Sequence, residues 1–214
     1  MKSNKSKKKS TKKSTRQYTP HDELREMIIE SSYKTVKEQG FDKLTIRTVT
    51  KNVGCAVGMP YKLFKNMDEI ITEVNSITLD EIYKYIETSY NDKSSHIENI
   101  HNFANAYIKY SKENYNLWSM LFEYKISDKE QLPTEYKEKI ERNFLFIERT
   151  IEDIKNDNSK KLNSNPKISA RVLWTGIHGI CILANSGKLE ITNSDNTEIL
   201  VSSLIDNYIK GLTS

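Results

Sequence analysis

Between Arg171 and Lys188 the chain runs for sixteen residues, Val172 to Gly187, without a formal charge, although 29% of all its residues are charged. The run is too short to cross a bilayer, which takes about 20 apolar residues, and Thr175, His178 and Asn185 interrupt it. Seven Gly and four Pro in 214 residues leave little material for the tight turns of a β-sandwich, so the run is predicted to be a helix. A helix apolar all round is normally buried all round. A chain of this size cannot easily bury one helix on every side by itself. A second subunit is therefore expected on its outer face.

The rest of the chain reads as helices with polar punctuation. Thr19-Pro20-His21-Asp22 is a helix start, with Thr19 as N-cap, Pro20 at the first helical position and Asp22 near the positive dipole end. Leu24, Ile28 and Val36 keep helical spacing until Gly40, which suits the left-handed position past a helix end. Short helices are predicted from Thr45 to about Val53-Gly54 and from Ala56 to about Phe64. Asn66 caps a long one, Asp68 to about Tyr90. Ser94/Ser95 open the next, to about Asn114, followed by Leu117–Tyr124. Pro133 opens a helix that ends in the polar loop Asn156–Asn165, and Pro166 opens the charge-free one. Asn193–Asn196 precede the last.

Charge is distributed unevenly. Residues 1–16 hold eight basic side chains, Lys12, Lys13 and Arg16 among them, and no acid; the remainder has 25 basic against 29 acidic residues. A cationic arm on a mildly acidic body points to a polyanion, bound by phosphate neutralisation and counterion release. No apolar stretch follows the arm, as a secretory signal would need, and no apolar amphipathic face or lipidation signal adapts it to a membrane. Two cysteines, Cys55 and Cys181, are too few for a disulfide scaffold, so a reduced, cytoplasmic protein is expected.

The helices between Pro20 and Phe64 have helix-turn-helix proportions. Gly40-Phe41, Thr45, Gly54, the Tyr61-x-x-Phe64 pair and apolar Ile70 stand in the register by which the segment resembles the TetR/AcrR regulators. Pro60 before Tyr61, and Leu173-Trp174-Thr175-Gly176-Ile177-His178-Gly179 followed by Ser186-Gly187-Lys188-Leu189, resemble the subgroup with a WHG-type C-terminal domain. The resemblance implies an all-α homodimer: a basic arm over 1–18, a helix-turn-helix domain over 19–67, and an effector-binding and dimerisation domain over 68–214. It implies a regulator, by family default a repressor, that leaves a pseudo-palindromic double-stranded DNA operator when an unknown small molecule binds. Thr45 and Tyr61 match phosphate-contacting positions, Lys62 and Lys65 add charge, and Arg47 sits where some members read a base. Val57 and Met59 fall at base-reading positions without strong hydrogen-bonding groups; Leu63 and Met67 replace a usual His and a usual Lys. Lys12, Lys13 and Arg16 would enter the minor groove as an arm.

Bland readings compete with sharp ones. Phe103, Tyr107, Trp118 and Phe122 read as core that borders a ligand cavity. Trp174 and His178, one turn apart, read as core, dimer packing with a hydrogen bond across the interface, or pocket wall. His178 and Cys181 share a helical face, but two ligands do not make a metal site, and no metal or other cofactor is expected. Cys55 reads as a small packing residue rather than a redox sensor. Acidic pairs such as Glu141–Glu148 sit on faces read as exposed, and no nucleophile-base order or phosphate loop appears, so catalysis is not expected. Two other classes stay open: a helical interaction protein with non-specific DNA binding, and an enzyme built around His178.

Overall fold

The computed structural model describes residues 20–127, 132–157, 165–191 and 196–213, and among them there is no strand. Ten α-helices follow one another: α1 (Pro20–Gln39), α2 (Ile46–Val53), α3 (Pro60–Leu63), α4 (Met67–Ser89), α5 (His96–Glu113), α6 (Tyr115–Glu123), α7 (Thr134–Asp157), α8 (Pro166–Asn185), α9 (Lys188–Ile191) and α10 (Thr197–Thr213). A 3₁₀ turn, Phe41–Lys43, joins α1 to α2.

Side chains close the helix ends. Thr45, Asn66, Ser95 and Asn165 each accept a hydrogen bond from a backbone N–H of the first turn that follows, of α2, α4, α5 and α8 respectively, donors that helix geometry leaves without partners. Ser95 and Glu98 complete a reciprocal capping box. Gly54 stops α2 in the left-handed conformation, φ 78°, ψ 30°. The Thr19 cap and the basic arm lie outside the described residues. So does most of the predicted loop at Asn156–Asn165, while α7 itself runs on to Asp157.

Two departures from the sequence expectation have a local cause. α3 begins at Pro60, not near Ala56, and spans four residues. Pro60 has no N–H to donate to the Ala56 carbonyl; that carbonyl instead takes the Met59 N–H, 2.9 Å, in a tighter turn. The second departure is α9, an unanticipated turn after Gly187 (φ 68°), which buries Leu189.

Two apolar clusters form the core. The first gathers Ile28 and Val36 of α1, Val49 of α2, Phe64, and Ile70, Ile71 and Val74 of α4; Leu117 and Met120 of α6 complete it. The second fills the space between α4, α5, α7, α8 and α10 with Phe103, Tyr107, Tyr110, Trp118, Ile151, Leu173, Ile205 and their neighbours. Each such side chain, moved fully out of water, contributes roughly 1.5–3 kcal/mol before the entropy of ordering it is counted. α6 therefore feeds both clusters from adjacent faces.

The charge-free helix is not buried all round within one protomer. Leu173, Ile177 and Cys181 face inward, but Val172 is 51% exposed and Leu183 43%, with Ile168 and Ile182 alongside.

Candidate nucleic-acid interface and interior cavity

From Lys43 to Met67 the chain carries Lys43, Arg47, Lys51, Lys62 and Lys65 and no acidic residue. The head built from this segment has a dry interior and a cationic exterior. Phe64 is 4% exposed, with the Arg25 guanidinium 4.8 Å over its ring. Tyr61, three residues earlier on α3, is 64% exposed. Thr45, Arg47, Val57, Lys62 and Lys65 are exposed as well, and Met59 is half-buried. Thr45 fixes the start of α2: its Oγ1 accepts from the Thr48 N–H at 3.1 Å and lies 2.9 Å from Thr48 Oγ1. Lys12, Lys13 and Arg16 lie outside the described residues.

Leu63 and Met67, which depart from the usual pattern, pack against the head's apolar cluster. Both are spent on packing rather than presented at the surface. Cys55 is a half-buried free thiol in the turn before α3.

The head is tied to the body by polar contacts. Arg25 on α1 pairs with Glu69 and Glu73 on α4. Glu81 of α4 accepts from Tyr33 of α1 at 2.6 Å and from Tyr110 of α5 at 2.7 Å. Burial first, then the bond to Glu81, pushes both phenols far above their ordinary value. Tyr124, just past α6, donates to Asp68 at 2.7 Å; burial and that carboxylate push its phenol up to about 12. Burial works against the Asp68 carboxylate, but Tyr124 and the Ser127 N–H outweigh it and hold Asp68 below its usual range.

Inside the body an apolar cavity of about 40 Å³ opens between α4, α5, α7 and α8. Of the six residues that sequence reasoning placed at a pocket, Phe103, Tyr107 and Trp174 line it. The other three form an adjoining aromatic cluster. His178 lies 4.3 Å from Phe122 and 5.0 Å from Trp118 and Trp174, centroid to centroid, and stacks on Trp174. Trp118 Nε1, which can only donate, bonds to the Tyr107 hydroxyl at 3.0 Å, and the same hydroxyl shares a hydrogen bond with His178 Nδ1 at 2.7 Å. Burial lowers the His178 pKa and so favours the neutral ring. The bond is made within one protomer, not across an interface.

Asn143 escaped the sequence reading. It lines the cavity from α7, and its Oδ1 is sealed from solvent without a partner among the described residues. The signal was available: Asn143 is a polar residue set into the apolar stripe Ile140, Phe144, Ile147, Ile151 and Ile154. Glu148, read as exposed, is half-buried against Arg171, which also pairs with Glu141 and covers the Phe144 ring at 4.5 Å. Cys181 is buried, and burial pushes its thiol up to about 11. Among the described residues, no three His, Cys, Asp or Glu side chains converge as a metal site would require. No helix there is long and apolar enough to cross a membrane.

Known proteins place this architecture. No curated protein sequence matches the chain. Among solved structures it superposes on a protein of unknown function from Rhodococcus sp. RHA1 (TM-score 0.73, 17% identity, 89% of this chain and 96% of that one). It also resembles the transcriptional regulator FadR from Bacillus subtilis, solved in complex with stearoyl-CoA (TM-score 0.61, 15% identity, 88% and 97%). A third is the TetR-family transcriptional regulator PfmR from Thermus thermophilus (TM-score 0.57, 16% identity, 87% and 99%). At these identities the likeness establishes the fold. The family profile described as "Tetracyclin repressor-like, C-terminal domain" matches residues 100–208, half of the chain and the part that holds most of α5, all of α6 to α9 and most of α10. With a cationic helix-turn-helix head in front of that domain, the chain belongs to the TetR family of DNA-binding transcriptional regulators.

Proposed function

We propose that this protein is a homodimeric repressor that binds a pseudo-palindromic operator through two α2–α3 heads and leaves it when a small molecule occupies the α5–α8 cavity. The observation that carries the proposal is the acid-free segment 43–67, in which Thr45, Arg47, Tyr61, Lys62 and Lys65 stand free of the core. Thr45 and Tyr61 contact phosphates, and Lys62 and Lys65 add charge. Arg47 reads a base edge, and Val57 and Met59 meet thymine methyls. Lys12, Lys13 and Arg16 extend into the minor groove. The uncovered face of α8 supplies the dimer contact, with Gly179 between exposed Thr175 and Leu183 allowing a close helix approach. Two heads then fit half-sites about one helical turn, ~34 Å, apart. A DNA partner and two free thiols suit a reducing cytoplasm.

Occupation of the cavity acts on the heads through α6, which places Trp118 and Phe122 beside His178 and Leu117 and Met120 in the head's core. An effector that favours one setting of α6 shifts head spacing by its differential affinity. The stearoyl-CoA of the Bacillus subtilis protein is not carried over, because no cationic residue lines this cavity to meet phosphate.

The test is a competition assay at two salt concentrations, with DNA from the protein's own upstream region against random DNA, for wild type and Arg47→Ala. Preference for the upstream fragment that weakens in the variant supports the proposal. Equal binding that collapses with salt and ignores Arg47 supports the second reading, a helical interaction protein with non-specific DNA binding, which the apolar Val57 and Met59 favour.

A further inference from the structure

We infer that the operator is recognised by the 5-methyl group of a pyrimidine in each half-site, read by Val57, so that 5-methylcytosine substitutes for thymine at the contacted step. This rests on the reading of segment 43–67 as the operator-binding head and goes beyond it by naming the chemical group that is read.

Helix-turn-helix proteins present the start of their second helix to base edges. Here that stretch has almost nothing to bond a base with. Residues 53–60 separate Asn52 from Tyr61, and the half-buried Cys55 thiol, a weak partner, is the only hydrogen-bonding side chain among them. Gly54 and Cys55 both give their N–H to the Thr50 carbonyl, at 2.9 and 3.1 Å, as α2 ends. The Met59 N–H then closes a turn onto Ala56, and α3 begins only at Pro60. Ala56, Val57 and Gly58, inside this turn, are all exposed, Val57 by 51%, whereas Met59 is half-buried. Gly58 adds no side chain beside Val57, and even a Cβ there would meet nothing within 4 Å, so a partner can approach the backbone closely.

A single exposed valine needs no explanation by itself. This one lies in the turn between Arg47 and Lys51 on α2 and Tyr61 and Lys62 on α3, all exposed, so the side chains that attract DNA flank it on both helices. What Val57 can match in the major groove is apolar. Of the four DNA bases only thymine shows an apolar group there, its 5-methyl. A cytosine methylated at the same carbon shows the same group. Taking one methyl out of water against the Val57 isopropyl group corresponds to about fourfold in affinity. Two half-sites bound by one dimer then give roughly fifteenfold.

The test uses the full-length protein and DNA from its own upstream region, amplified with dTTP or with dUTP, which removes every thymine methyl and keeps the base pairing. The uracil fragment is expected to bind roughly fifteenfold more weakly. In Val57→Ala that ratio should fall towards one. Placing uracil at the protected thymines, one symmetric pair at a time, locates the contacted step. At that step, duplexes with T·A, U·A, 5-methylcytosine·G and C·G should form two classes, the methylated pair binding alike and tighter than the bare pair. Arg47→Ala should weaken all four and leave the ratio between classes unchanged. Equal binding of the thymine and uracil fragments, a ranking by base pair rather than by methyl, or an undiminished ratio in Val57→Ala overturns the inference while the operator reading stands. Val57 lies outside both core clusters, so its variant is expected to fold, and the wild-type duplex comparison can overturn the inference whatever the variant does. If the thymine fragment binds no better than random DNA, the operator reading falls and the inference falls with it.

Discussion

Tyr61 and Phe64 stand three residues apart at a four-residue helix and serve opposite ends. The phenyl ring is inside, so Phe64→Ala should lower the unfolding free energy by about 3 kcal/mol or more in urea denaturation. Tyr61 is mostly in water, and Tyr61→Ala should change stability by about 0.5 kcal/mol or less. It should nonetheless weaken operator binding in a gel-shift titration. Equal losses of stability in the two variants would contradict the division. His178 shows how a single proton is held out of the body. Burial keeps its folded pKa below the ordinary imidazole value of about 6.5, so as pH falls the unfolded chain binds the proton first. The stability contributed by neutral His178 is complete above pH ~6.5 and is lost as pH drops through the folded value. The gap in urea midpoint between wild type and His178→Gln should therefore be largest near pH ~8 and shrink towards pH ~5. A gap that is flat with pH would mean that the imidazole titrates alike in both states.

At the scale of elements, caps and contacts outweigh propensity. Thr45→Ala removes the N-cap of α2 and should cost about 1 kcal/mol in thermal or urea unfolding. Gly176 of α8 faces α10 so closely that an added Cβ would meet Leu204 Cδ2 at 2.7 Å. Gly176→Ala should thus destabilise by roughly 1–2 kcal/mol, against the usual gain from replacing a helical glycine. The cost is limited because Leu204 can turn its far end away. Sequence made this level legible wherever the cause was local: Asn66, Ser95 and Pro166 open their helices within a residue of expectation. Pro60 fits inside a first turn on paper, yet its missing N–H moves that first turn four residues along. Phe103, Tyr107 and Trp174 were readable as cavity wall from aromatic content on apolar faces. Asn143 was legible as a polar break in an apolar stripe, but that its side-chain oxygen is left over after its amide nitrogen meets two backbone carbonyls is a tertiary fact. For the same reason the pairing of Tyr107 with His178, 71 residues apart, could be read from no spacing.

For the whole molecule, the open face of α8 sets the test of assembly. A Cβ at Gly179 meets nothing within 4 Å in the protomer. Gly179→Leu should therefore leave the circular dichroism and the protomer's fold intact while shifting sedimentation from dimer to monomer; a variant that still sediments as a dimer would move the interface elsewhere. The shared helix α6 has a further consequence, for anyone who would treat this regulator as modular hardware. Leu117 and Met120 reach back about fifty residues to close the interior of the DNA-binding head, alongside Ile70, Ile71 and Val74. A fragment ending at Met67 would open that interior to water, and a chimera that grafts residues 20–67 onto a foreign sensor would inherit a hole where α6 belongs. The transplantable unit is discontinuous: the head travels with α4 and α6 or not at all, and a sensor swap here must exchange the lining of the cavity rather than the chain after a chosen cut.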